Sequence, residues 1–272
     1  MSLELKINPE EVSNRRERIS SNVEEFKVKL DNRFKDSESR ESVSKALNLM
    51  LDAHLSQKDR ADGTPYASHP LEVAQNVMNI TKEDNADLVS AALLHDVVED
   101  KSEVLFTKRV NKKFPDRDFM FEVSDQLKEK YSDIFKRFSF KELKDNFGDK
   151  VEYYVNNLTN HDFDSFIEDA IPDASKEDKQ KLKNILYAEH VEKIIKDPDL
   201  CLLKYADFSA NIDLRSLPKD GDKYKKLRRK YKSVIPVFIK QLDDIPKEHS
   251  LYNRKDELIK NLEKIYKEQY QD

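Results

Sequence analysis

His95 and Asp96 stand side by side within the most hydrophobic stretch of the chain, ADLVSAALLHDVVED, with Leu93, Leu94, Val97 and Val98 around them. Ionisable groups in such company are costly to bury unless they are paired or bind an ion. An adjacent His and Asp are common by chance, and a histidine held by a backbone carbonyl beside an aspartate exposed at a helix end would account for them. Three further features point to chemistry. Glu99 follows His95 by four residues and Asp100 follows Asp96 by four, so each carboxylate sits one helical turn beyond a candidate ligand. His69 stands at a helix start directly before Pro70. Asp207 lies in LLKYADFSAN, a largely apolar helix that would not otherwise accept a charge. Two imidazoles and two carboxylates from three helices make a mixed nitrogen and oxygen set, suited to a six-coordinate Mn²⁺, Fe²⁺ or Mg²⁺ with positions left for water. A closed zinc site rich in thiolate is excluded, because Cys201 is the only cysteine.

The elements that position these residues read as helices. With 3 glycines in 272 residues and abundant Lys, Glu, Leu and Ala, the composition favours helix, since glycine weakens helices and these side chains lose little freedom in them. Residues 41–54 place Val43, Ala46, Leu47, Met50, Leu51 and His54 on one stripe. A break at Gly63, Pro65 and Pro70 leads into a helix through LEVAQNVMNI. The next helix is expected to begin near Asp84 and to run through ADLVSAALLHDVVED, with His95 and Asp96 towards its end. Residues 102–146, charged and aromatic, read as one or two helices of a peripheral insert. Three helices follow in FGDKVEYYVNNLT, KQKLKNILYAEHVEKIIKDPD and LCLLKYADFSANIDLRSL, and residues 222–270 add two more, split around Asp243 to Ser250. No strand-like alternation and no repeat persists. The expected architecture is all-α, a helical bundle with one core spanning 1–272, although the length alone allows roughly 1.8 typical domains.

Composition also narrows the partners. Lys and Arg number 49 and Asp and Glu 54, a net charge of −5, which disfavours a general nucleic-acid surface. Neither glycine-rich phosphate loop is present, so bound phosphates must be held by side chains or a metal. No segment approaches the roughly 20 apolar residues that cross a bilayer. These features predict a soluble protein of a reducing compartment, the cytoplasm, acting on a small molecule without nucleic acid or membrane; a homo-oligomer stays open.

The blocks RADGTPYASHPLEVA (Arg60, Gly63, Pro65, Tyr66, His69, Pro70) and AALLHDVVED resemble the HD-type hydrolase domain of the RelA/SpoT alarmone enzymes. FGDKVEYYVNNLT (Phe147, Gly148, Val151, Val155, Thr159) and LLKYADFSAN continue the likeness in the family's order, over residues of about 40–215. The resemblance implies a mainly α-helical HD fold, a Mn²⁺-dependent site, and removal of the 3′-pyrophosphate from guanosine tetra- or pentaphosphate. It implies His69, His95, Asp96 and Asp207 as metal ligands, and Glu99 and Asp100 as the groups that orient or deprotonate the attacking water. Arg60 would stack on guanine, a role suited to its planar cation, while Tyr66, Thr159, Lys204 and Asn211 would line the nucleotide pocket. No synthetase portion is expected after position 215, giving a small hydrolase-only form.

Two departures stand out. Phe208, Ser209 and Ala210 replace the Arg-Leu-His part of the family's Ala-Asp-Arg-Leu-His-Asn block, and the stretch between Glu99 and Phe147 is longer than in the family. Two rival readings remain, an HD phosphohydrolase for another nucleotide and a non-catalytic nucleotide-sensing or interaction module. His54 reads equally as a core histidine or as support for the site. His161, His190 and His249 read as surface residues, the run Lys223 to Lys232 as a solvated helix face, and Cys201 as a small buried apolar residue.

Overall fold

The computed structural model describes residues 9–60, 62–81, 84–114, 125–160, 162–215 and 217–271, and every regular element among them is helical. His161 and residues 115–124 of the expected insert lie outside the described residues. The chain divides into two compact units. One comprises Met1–Gln75 and Asp84–Thr159, the other Asn76–Glu83 and Asn160–Asp272. No helix among the described residues is long and apolar enough to cross a membrane.

The first unit holds α1 (Pro9–Arg33), α2 (Ser37–His54), the start of α3 (Ser68–Ile80), α4 (Ala86–Leu94), α5 (Val97–Lys113), α6 (Asp125–Lys130) and α7 (Ser132–Leu158). Despite its charged composition, α1 buries Ile19, Val23, Phe26 and Leu30, which repeat every three to four residues and so form one stripe. Asp36 caps α2 by accepting from the Ser39 amide at 2.7 Å, a bond that holds its carboxyl below the usual carboxylate range. Asn85 does the same for α4, accepting from the Leu88 amide at 3.1 Å. In α4 every residue from Leu88 to Leu94 is buried.

The expectation of one helix from Asp84 to Asp100 is corrected. The regular helix stops at Leu94, His95 and Asp96 form a turn, and α5 starts at Val97. Aspartate is a favoured residue just before a helix, but the Asp96 side chain makes no cap hydrogen bond to α5. Further kinks follow at Lys101, with φ −140° and ψ 33°, and at Gly148, with φ 87° and ψ 176°. The rest of α5 packs on α7; Leu105 and Leu143 are fully buried, and Arg109 Nη1 lies 3.0 Å from Glu142 and 2.7 Å from Asp145. Among its described residues the expected insert thus has a buried inner face.

The backbone angles at Gly148 belong to a region that only glycine occupies readily, although a methyl group there would meet nothing within 4 Å. Gly148→Ala should therefore act through strain alone and lower the unfolding free energy by about 1–3 kcal/mol. Denaturant unfolding would read this as a lower midpoint at unchanged slope; an unchanged midpoint would contradict it.

The second unit holds α8 (Phe163–Ala170), α9 (Lys176–Ile194), α10 (Pro198–Ser209), α11 (Asp222–Lys232), α12 (Val234–Asp243) and α13 (Lys255–Ile265). Asp197 starts α10 by accepting from the amides of Asp199 and Leu200, with Pro198 in the first turn where its missing N–H costs nothing. Phe208 is core, its ring 4.9 Å from Phe238 and 5.2 Å from Tyr231. The departure from the family's polar residue thus serves packing. Cys201 is buried, and loss of solvation pushes its thiol up to about 12. The C-terminal part differs from the two helices expected, because the chain breaks again at Ser233; Pro236, in the first turn of α12, has no N–H to continue a ladder from α11. Within the basic run Lys223, Lys225, Lys226 and Arg229 are exposed. Arg228 instead donates to the carbonyls of Gln269 and Tyr270, and Lys230 sits 4.0 Å from the centre of the Tyr187 ring. Two histidines read as surface residues are not. His190 is buried on the inner stripe of α9 with Tyr187, Val191 and Ile194, edge-on to Phe163, and His249 is half-buried with Nε2 3.1 Å from Asp199.

Candidate functional site

Local geometry places the first pair of groups. The Ser68 hydroxyl donates to the Pro65 carbonyl at 2.7 Å, and the His69 amide to the Tyr66 carbonyl at 2.9 Å, so Tyr66 and His69 enter α3 in a fixed turn. Pro70 sits within that first turn. The second pair lies where α4 ends. His95 is 4% exposed and its Nδ1 is 2.8 Å from the Ala92 carbonyl. A carbonyl can only accept, so Nδ1 carries a proton and the neutral ring presents its lone pair at Nε2. That nitrogen lies 3.2 Å from Asp96 Oδ1, and His69 Nε2 lies 3.7 Å from Asp96 Oδ2. The two imidazoles are 5.3 Å apart and inclined at 70°. A lone pair facing a carboxylate oxygen at such a distance is repulsive, and either a proton on the ring or a cation shared with the carboxylate relieves it. The donor set therefore fits a divalent ion, and the backbone bond that would explain a structural histidine is the same bond that aims its other nitrogen.

Asp96 Oδ2 also accepts from the Tyr66 hydroxyl at 2.7 Å. Burial first, then the carboxylates of Asp96 and Asp100, pushes the Tyr66 phenol well above its ordinary range, so it remains a donor at neutral pH. Tyr66, placed in the nucleotide pocket by resemblance, here steadies an aspartate. Tyr66→Phe should weaken divalent-ion affinity about 10- to 100-fold, as loss of an outer partner of a metal ligand does. Calorimetric titration of Mn²⁺ into the variant checks this, and wild-type affinity would contradict it.

His54 is fully buried at the end of α2, its ring 5.1 Å from that of Tyr66. Loss of solvation lowers its pKa, keeping it neutral at pH 7. Its Nδ1 lies 2.8 Å from Gln57 Oε1, and Gln57 Nε2 donates to Asp100 Oδ2 at 3.1 Å. Sequence reading passed over Gln57. Its only local signal is the three-residue spacing from His54. Glu99 and Asp100 are both exposed in the first turn of α5, where the Asp100 amide donates to the Asp96 carbonyl at 2.9 Å, so the turn expected between Asp96 and Asp100 is present.

The first unit thus joins Tyr66, His69, His95 and Asp96 directly, and Asp100 through Gln57 and through its charge on the Tyr66 hydroxyl. Arg60 lies on a turn closed by its amide and the Thr64 carbonyl, with its guanidinium 4.0 Å from Glu72. Thr159 is buried and gives its hydroxyl to the Val155 carbonyl at 2.8 Å. Among the described residues no hydrogen bond ties either one to the cluster. In the second unit Lys204 is 4% exposed and its ammonium lies 2.9 Å from Asp207 Oδ2, while Asn211 Nδ2 donates to Asp207 Oδ1 at 3.0 Å.

Residues 46–117 match a family model described as HD domain. The matched span includes Arg60, Tyr66, His69, His95, Asp96, Glu99 and Asp100 and ends before Thr159, Lys204, Asp207 and Asn211. This segment is therefore similar to HD domains in the region where the two histidines and their aspartate meet. None of the curated proteins compared with the chain matches it.

Proposed function

We propose that the protein is a metal-dependent phosphohydrolase that removes the 3′-pyrophosphate of guanosine 3′,5′-bis-polyphosphates, with one divalent ion, Mn²⁺ by preference, held by His69, His95, Asp96 and Asp207, the ligand set that the resemblance implies. The observation that carries the reading is the pair of imidazoles on one aspartate, with His95 Nδ1 fixed by the Ala92 carbonyl so that Nε2 is the ligand atom. The HD-domain match over the same residues supports it. A bound divalent ion supplies a water of lowered pKa and polarises a phosphoryl oxygen. The remaining work belongs to side chains. Glu99, one turn beyond His95, accepts the proton of the attacking water as its oxygen bonds to the phosphorus on the ribose 3′-oxygen. The P–O3′ bond breaks, pyrophosphate departs, and the 3′-oxygen takes up a proton. Asp100 orients the water. Lys204, Thr159, Asn211 and Arg60 serve phosphate and base in the roles implied by the resemblance.

A second reading, the same chemistry on another nucleotide, is favoured by the Arg60 guanidinium, which faces Glu72, and by Phe208, which is core. Incubation of the purified protein and Mn²⁺ with guanosine tetraphosphate and a panel of other nucleotides decides between them by product identity. Pyrophosphate and a free 3′-hydroxyl from the first substrate are expected; cleavage of other nucleotides alone selects the second reading. Protein that cleaves none and gains no thermal stability from Mn²⁺ is a non-catalytic module.

A further inference from the structure

We propose that Gln57 is a positioning residue that holds the Asp100 carboxylate in its working rotamer, anchored in turn on buried His54. The inference rests on the hydrolase reading above and adds a group to it. Asp100 needs an anchor for a reason visible in the backbone. It is exposed, and Lys101, the next residue, leaves helical geometry, so the turn carrying Asp100 is not continued by a straight helix. A carboxylate on one isolated turn in water samples several rotamers, whereas a charge-assisted hydrogen bond at 3.1 Å selects one.

The chain of bonds has a defined direction. An ionised carboxylate only accepts, so the Gln57 amide nitrogen must face Asp100 and its oxygen must face His54. His54 Nδ1 then carries the proton of that 2.8 Å bond. The imidazole is fully buried and pinned at the end of α2, and among the described residues its Nε2 has no hydrogen-bond partner, so this ring's one hydrogen bond is spent on Gln57. Gln57 itself is half-buried on the loop after α2, 43 residues before the carboxylate it reaches. A primary amide serves here because it accepts at its oxygen and donates at its nitrogen, so one side chain bridges the imidazole and the carboxylate.

Gln57→Glu separates the two ends. Its carboxylate still accepts from His54, preserving the buried contact, but presents an acceptor to Asp100. With the enzyme loaded with Mn²⁺, kcat should fall about 10- to 100-fold, the cost of a small misplacement of a reacting group, while KM and Mn²⁺ affinity stay at wild-type values. In an Asp100→Asn background the same change should cost less than about 3-fold, because residues acting as a unit are non-additive. A readout free of activity accompanies these. The ¹⁵N spectrum of His54 should show the Nδ1-protonated tautomer in wild type and in Gln57→Glu, and a changed tautomer population in Gln57→Ala. Equal kcat in Gln57→Glu and wild type, or full additivity with Asp100→Asn, would overturn the inference. Wild type that hydrolyses no nucleotide would instead overturn the hydrolase reading, with the His54 tautomer still testing the Gln57 contact.

Discussion

His95→Ala should abolish stoichiometric binding of a divalent ion and, with it, nucleotide hydrolysis. Loss of an outer partner costs metal sites about 10- to 100-fold in affinity, and loss of a ligand must exceed that. His95 is the best-determined of the proposed ligands, since the Ala92 carbonyl leaves its ring one tautomer and one nitrogen to offer. The variant also removes a buried side chain and strips the Ala92 carbonyl of its donor, so circular dichroism must show that α4 survives. His95→Gln, which keeps volume and a polar end, controls for collapse. Metal analysis after passage over a chelating resin and a Mn²⁺-dependent assay are the two measurements. A folded variant with wild-type metal content would remove His95 from the site.

Glu99→Gln should leave metal binding intact and lower kcat about 10²- to 10⁴-fold, the usual worth of a general base. The substitution preserves shape and takes away only the ability to accept a proton. Glu99 is exposed at the start of α5, where a neutral amide has little effect on packing. Equal loss in kcat and kcat/KM, at unchanged Mn²⁺ affinity, is the expected pattern for an interaction made in the transition state. A change confined to KM would assign Glu99 to substrate binding.

How far the sequence could be read depends on whether the governing interaction is local. The amphipathic stripe of α2, the Pro70 start of α3 and the Pro198 start of α10 depend on neighbouring residues, and periodicity or proline placement discloses them. The Nδ1 bond of His95 is also local, reaching three residues back. What escaped was the division of labour it permits, in which one nitrogen satisfies the backbone while the other faces Asp96. The break at His95 and Asp96 was not legible because Leu93, Leu94, Val97 and Val98 are apolar on both sides of it. Helix α1 was hidden by its charge, since its buried stripe amounts to four residues in 25. His190 looked like a surface residue until Tyr187, Val191 and Ile194 are counted with it at helical spacing. Contacts between distant segments, such as Gln57 with Asp100 or Phe208 with Phe238, depend on how helices pack and leave no trace in spacing.

Lys204 adds a point about charge. Its ammonium lies against Asp207, so that carboxylate is compensated without any ion. The same lysine, 4% exposed, has its charge partnered at all times, as buried cations require.

The most direct test of the central claim is electron paramagnetic resonance of Mn²⁺ titrated into chelator-stripped protein, with pulsed detection of the nitrogen couplings. One tightly held Mn²⁺ per chain, coupled to two imidazole nitrogens in wild type and no longer held in His95→Ala, is the result expected from the geometry of His69 and His95. Mn²⁺ that remains free in solution, or is bound without imidazole coupling, would contradict it.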